Sequence, residues 1–182
     1  MPVPPRHAIA PCHGFSLVEL LITIAIFGVL AVMAVPMYGA FSANTQIRTA
    51  TEAMLEGVRY AQTEAVKRNG VVEFVLDETT GWTVNDVSDP NNVVQLRTYE
   101  FKQGAKQTTV TPQGAMRRVT FNGLGRIFAK NPTDNTNPLA QVDVTTSLNM
   151  SSPRNLRLVV GSTFGIKACD PALPANDAAG CP

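Results

Sequence analysis

The spacing of hydrophobic and polar positions changes rhythm twice along this chain. Residues 14–36 read GFSLVELLITIAIFGVLAVMAVP, almost wholly apolar, with Glu19 as the single charged residue. Residues 20–35 carry only Thr23 as a weak interruption, and Phe15, Leu17 and Val18 extend the run to about the ~20 residues a bilayer core requires. Beyond Pro36 the apolar positions thin to one face. Ile47, Ala50, Met54, Val58, Ala61 and Ala65 recur at steps of three or four, a helical stripe that core packing explains. Arg48, Glu52, Glu56, Arg59, Glu64 and Arg68 fall opposite, with Glu64 and Arg68 forming a favourable i,i+4 pair. Asn69-Gly70 is a helix stop. The helix expected over residues 15–69 is about 80 Å long at ~1.5 Å per residue.

From Val71 the period becomes strand-like. VVEFVL and GWTVNDV flank DETT, a hairpin, and VVQLRTYEF is a longer alternating strand. RRVTF and GRIFA are joined by NGL, a second hairpin, and QVDVTTSL follows the polar loop KNPTDNTNP. RNLRLVV and TFGIKA are separated by Gly161-Ser162, which reads as a two-residue primed turn. A helix followed by about eight short strands predicts an α+β fold, with one face of an antiparallel sheet receiving the amphipathic helix. The division expected is 1–14, a short leader; 15–36, an apolar helix; 37–70, an amphipathic helix; and 71–182, an antiparallel β domain.

Composition narrows the chemistry. Lys and Arg number 15 and Asp and Glu 14, so net charge selects no partner. The two histidines, His7 and His13, both precede Gly14. A chain cut after Gly14 would keep no imidazole, and Ser-His or Cys-His catalysis would have no base. GLGR sits in a hairpin rather than before a helix, so it is no phosphate loop. An enzyme is therefore not expected, nor a cofactor or small-molecule substrate. Cys169 and Cys181 are twelve apart without histidine companions, which argues against a metal site. A disulfide stapling the C-terminal loop suits them, as such bonds persist in exported domains. Cys12 would leave with the leader.

The first residues, MPVPPRHAIAPCHG, are polar and Pro-rich with one Arg, and no A-x-A-like site follows the apolar run. This order does not suit an ordinary secretory signal. A buried Glu costs several kcal/mol at membrane depth, so Glu19 needs a partner or a task. No Lys or Arg lies between Phe15 and Asn44. Cleavage after Gly14 would create one, since the new amino group of Phe15 could neutralise Glu19 of a staggered neighbour.

Gly14, Phe15 and Glu19, spaced as they are, closely resemble the prepilin signature of type IV pilins and type II secretion pseudopilins. That resemblance implies a peptidase cut after Gly14, methylation of Phe15, and a helix bent or melted at Pro36. It also implies a single-pass protein of the bacterial inner membrane, with its globular domain in the periplasm until it joins a pilus fibre. AVKRNGVVEF, VTFNGLGRI and RNLRLVVGSTFGIKACDP further resemble the FimT/FimU-type minor pilins and the related GspH-type pseudopilins. The implied fold is pilin-like, a long N-terminal helix on antiparallel sheet. The implied role is to prime pilus assembly and support twitching, adhesion or DNA uptake. Its partners would be other major and minor pilins, the prepilin peptidase and the inner membrane. A GspH-type pseudopilin is the alternative, although the CDP…C tail leans toward a pilus.

A DNA-binding pilin is a second alternative. DNA-uptake members carry Gly-Arg-x-Arg just before CDP, whereas Gly165-Ile166-Lys167-Ala168 stands here and leaves Lys167 alone in place of that charge. Arg97, Lys102, Lys106, Arg117, Arg118, Arg126 and Lys130 form a basic stretch beside one acid, Glu100. Lys167, Arg117, Arg118 and Arg126 are the candidate phosphate contacts. From Val71 onward, however, ten basic residues balance ten acidic ones.

Overall fold

The computed structural model describes residues 14–182 except 115, 151–152 and 162–164; of residues 33–37 it describes the backbone alone. Contacts divide the chain into two compact units, Met1–Gly39 and Ala40–Pro182.

A helix, α1, covers Leu17–Arg68. Within the second unit its stripe is buried as the spacing predicts: Ile47, Ala50, Met54, Val58, Ala61 and Ala65 are all fully inaccessible. The helix ends where Asn69 adopts a left-handed φ of 48°, and the Gly70 amide donates to the Ala65 carbonyl at 3.0 Å. Asn69, rather than Gly70, thus takes the positive φ of the expected stop. Glu64 departs from the outward face assigned to it. It is 5% exposed, held by Arg68 at 2.7 Å and Lys67 at 3.0 Å. Those hydrogen bonds, Arg68 first, keep its carboxyl below the usual range.

Eight strands follow among the described residues: β1 Val72–Asp77, β2 Gly81–Asp86, β3 Val94–Glu100, β4 Thr108–Pro112, β5 Arg118–Phe121, β6 Gln141–Thr146, β7 Leu156–Gly161 and β8 Gly165–Cys169. They form two four-stranded sheets, β3-β2-β1-β5 and β4-β6-β7-β8, rather than the one expected. All pairings are antiparallel. The DETT hairpin is present, its turn tied by Asp77, which accepts from the Thr79 hydroxyl and the Thr79 and Thr80 amides.

Two sequence expectations fail locally. GRIFA forms no strand; after Phe121 the chain turns through 122–125 and makes a single bridge, Phe121 to Ile127. Asn122 captures that segment instead, its side chain accepting from the Leu124 and Arg126 amides at 3.0 Å each. Between β7 and β8, Gly161 still belongs to the strand and pairs with Gly165, so the turn does not begin at Gly161; Ser162 lies outside the described residues.

One core joins the helix to both sheets, with Phe74, Trp82, Val119 and Phe121 on one side and Val110, Val142, Val144 and Leu158 on the other. Helix and first sheet meet closely at Gly57, where a Cβ would come within 2.9 Å of the Phe74 and Trp82 rings. Any larger residue there would force those rings apart.

Candidate functional site

The amino-terminal stretch is built from a capping arrangement. Ser16 precedes the first helical residue. Its amide donates to Glu19 Oε2 at 3.2 Å, and the Glu19 amide donates to Ser16 Oγ at 3.2 Å. This reciprocal box satisfies two amides that a helix start leaves without partners. The pattern Ser-x-x-Glu before an apolar run announces it, and inspection for cations alone overlooks it. Glu19 therefore has a partner within its own chain, a neutral amide rather than a cation. Its other oxygen, Oε1, makes no hydrogen bond among the described residues.

The helix that follows is uncovered on every side. Leu17, Leu20, Leu21, Ile22, Ile24, Phe27 and Leu30 are each 54–75% exposed, and Phe15 is 84% exposed. Those positions run around the full circumference, so no single stripe could bury them. Gly14 is exposed, with nothing within 4 Å of a Cβ placed on it. Among the described residues no helix is long and apolar enough to cross a membrane; the bare run ends at residues 33–37, whose side chains lie outside the description. The bend expected at Pro36 falls there too, and residues 1–13 of the leader, Cys12 included, are likewise outside the described residues.

At the other terminus Cys169 and Cys181 are bonded, with Cα atoms 5.1 Å apart. The closed loop is internally tied: Asp170 N donates to Ala179 O at 2.7 Å, and Lys167 Nζ donates to Gly180 O at 3.3 Å.

The four candidate DNA contacts are dispersed by their partners. Arg117 pairs with Glu78 at 2.8 Å, and Arg118 bridges Glu73 at 2.9 Å and Asp134 at 3.0 Å. Lys167 is spent on the Gly180 carbonyl. Only Arg126 has neither an ion pair nor a side-chain hydrogen bond among the described residues, and the cleft it lines holds none of the other three. The Arg118 pair belongs to a buried polar cluster absent from the sequence reading. Glu73 is 1% exposed and also accepts from Thr133 Oγ1 at 2.8 Å. Asn131, fully buried, donates to the Arg118 and Asn137 carbonyls and to Thr136 Oγ1. The cluster pins the 129–138 loop over β1 and β5.

A helix bare on all sides for its first half, then covered on one face by antiparallel sheets, defines a pilin-like subunit. Comparison with known families agrees. Residues 9–35 match the prokaryotic N-terminal methylation motif, and residues 50–163 match the Type II transport protein GspH model. The chain belongs to this GspH family of type IV pilin-like and pseudopilin proteins. It is 28% identical over 102 residues to a fimbrial protein of Pseudomonas aeruginosa, covering 54% of this chain and 66% of the relative. The chain thus spans just under two thirds of that curated relative's length. Among solved structures it resembles the type IV minor pilin FimU of Pseudomonas aeruginosa, with TM-score 0.50 and 16% identity, covering 70% of this chain and 90% of that one. It also resembles the minor pseudopilin EpsH from the Type 2 Secretion System of Vibrio cholerae, with TM-score 0.50 and 8% identity, covering 70% and 99%. At those identities the likeness shows the fold alone.

Proposed function

We propose that this chain is a minor subunit of a type IV pilus, anchored in the inner membrane before assembly and drawn into the fibre by its bare helix. In this reading the prepilin peptidase cuts after Gly14 and Phe15 is methylated. The subunit helps prime assembly among major and minor pilins and so serves twitching or adhesion. The observation that carries it is the uncovered apolar helix with Glu19 as its one charge. Uncovered side chains of this kind require lipid or the helices of other subunits. A carboxylate at that depth costs about 2.5–3.5 kcal/mol in lipid. The Ser16 amide offsets part of that cost in cis, and the free Oε1 is open to the Phe15 amine of a staggered neighbour.

Glu19→Leu tests this. The variant is expected to enter the membrane as the wild type does, yet to be missing from sheared filaments. Normal recovery of the variant in fibres would remove the pairing from the account. Mass spectrometry of membrane-extracted protein should show loss of residues 1–14 and one methyl on Phe15; an intact start would point to a plain anchor.

A second reading, a pseudopilin of a type II secretion system, is favoured by the description of the matched family. The proteins that co-purify with the assembled chain separate the two. DNA uptake forms no part of the proposal, because three of its four candidate contacts are engaged inside the chain.

A further inference from the structure

The geometry points to a carboxylate-binding cleft at Arg59 and Arg126 that receives an acidic segment of another protein. The cleft encloses about 650 Å³ between the second half of α1, the turn after β5 and the start of β8. Phe121, Ile127 and Ile166 give it apolar walls, and among the described residues no carboxylate lines it.

Among the described residues neither guanidinium has an ion pair; that of Arg59 is held by a carbonyl, and Arg126 stands on an anchored backbone. Arg59 is the only cation of α1 that has no ion pair among the described residues, since Arg48, Lys67 and Arg68 all have acids. The helix explains why. The residues three and four away from Arg59 are Leu55, Glu56, Gln62 and Thr63, and Glu56, the one acid, is taken by Arg97 at 2.8 Å. Arg59 donates from Nη2 to the carbonyl of Ile166, itself a lining residue, at 3.2 Å, which ties the fork to the cleft with donors to spare. Arg126 stands on a fixed turn. Its amide is held by Asn122, and the turn is tied to α1 by Gln62 Nε2 donating to the Gly125 carbonyl at 2.9 Å. At the tip of that turn Leu124 is 76% exposed, and on the adjoining helix Val66 is 52% exposed.

Two guanidinium groups without ion pairs, set among apolar walls, suit a carboxylate flanked by apolar side chains, because arginine grips carboxylates through paired N–H bonds. A nucleic acid fits less well. Two phosphate contacts release about two counterions, whereas strong salt-dependent binding rests on roughly 6–10. The occupant is therefore an acidic, partly apolar stretch of polypeptide, such as another fibre subunit would present. The inference rests on the assembly reading for its partner, but its test does not depend on fibres.

The full chain in detergent is titrated with the peptide acetyl-Phe-Glu-Glu-Phe-amide. Saturable binding is expected, weakened roughly tenfold or more in the double variant R59Q/R126Q, as loss of charge-assisted hydrogen bonds implies. Arg154→Gln, outside the cleft, should bind as the wild type does and serves as the control for folding. Acetyl-Phe-Gln-Gln-Phe-amide should not bind, and a short oligothymidylate should not compete. Absence of binding by the acidic peptide, equal binding of the glutamine peptide, an unchanged affinity in the folded double variant, or displacement by the oligothymidylate would each overturn the cleft's assignment. None of these outcomes touches the Glu19→Leu experiment.

Discussion

The two halves of α1 are made of the same backbone and opposite surfaces. As far as Val32 the described side chains of the helix are exposed and, Glu19 and Thr23 apart, apolar or glycine all round; after Gly39 a stripe of six is fully buried and the charged residues, Glu64 apart, lie outside it. The second half is satisfied by its own chain, which supplies two sheets. The first is not, and must find apolar contacts elsewhere. One helix thus teaches how a subunit divides its labour: what is folded is separate from what is shared.

The largest effect that would sharpen this contrast lies in the covered half. Phe74→Ala, beneath Gly57, should cost about 3–5 kcal/mol, read as a lower unfolding midpoint by Trp82 fluorescence. Ile24→Ala, in the bare half, should leave that midpoint within about 0.5 kcal/mol. Equal losses at both positions would break the division. Next in size is the joint Cys169→Ser and Cys181→Ser variant. Closing a loop of twelve residues' separation contributes about 3 kcal/mol on chain-entropy grounds, and the same loss should follow reductant in the native protein.

Smaller again is Ser16→Ala, which removes one half of the capping box and should cost about 1 kcal/mol of local helix stability. Amide exchange at Val18 and Glu19 would report it, while residues 47–65 stay protected. The smallest effect is a pH dependence confined to the covered unit. The Thr79 hydroxyl, then the Thr79 and Thr80 amides, pull Asp77 from 3.8 down to about 2, and Arg68 and Lys67 lower Glu64. Carboxyls depressed by folding stabilise fully above their ordinary value and lose that contribution as pH falls through the folded one. Urea midpoints should therefore decline between about pH 4 and pH 2, modestly, since Asp77 is exposed and solvent screens it. A midpoint rising on acidification would contradict the sign.

Much of this was readable from residue order. The buried stripe on α1, the DETT hairpin, the cysteine pair and the spacing of Gly14, Phe15 and Glu19 are local patterns, and local patterns survive folding. What was lost is non-local. TTVTP carries one buried aliphatic, Val110, and a terminal proline, too little alternation to announce β4. Glu73 alternates with Val72 and Phe74 and so reads as an outward residue of β1; the 129–138 loop, sixty residues on, covers that face and buries it. Glu64 is likewise drawn inward by cations one turn ahead. Arg59 and Arg126 lie too far apart in the chain for any periodicity to bring them to one cleft.

The covalently closed tail has a last implication. A sheet's outermost strand offers a row of open amides and carbonyls on which stray chains can template. At the Cys169 end of β8 that border is occupied: Asp170 bridges in parallel to Gly180, and the Lys167 ammonium crosses to the Gly180 carbonyl. A second copy approaching from that side meets a hem already stitched shut by the molecule's own tail.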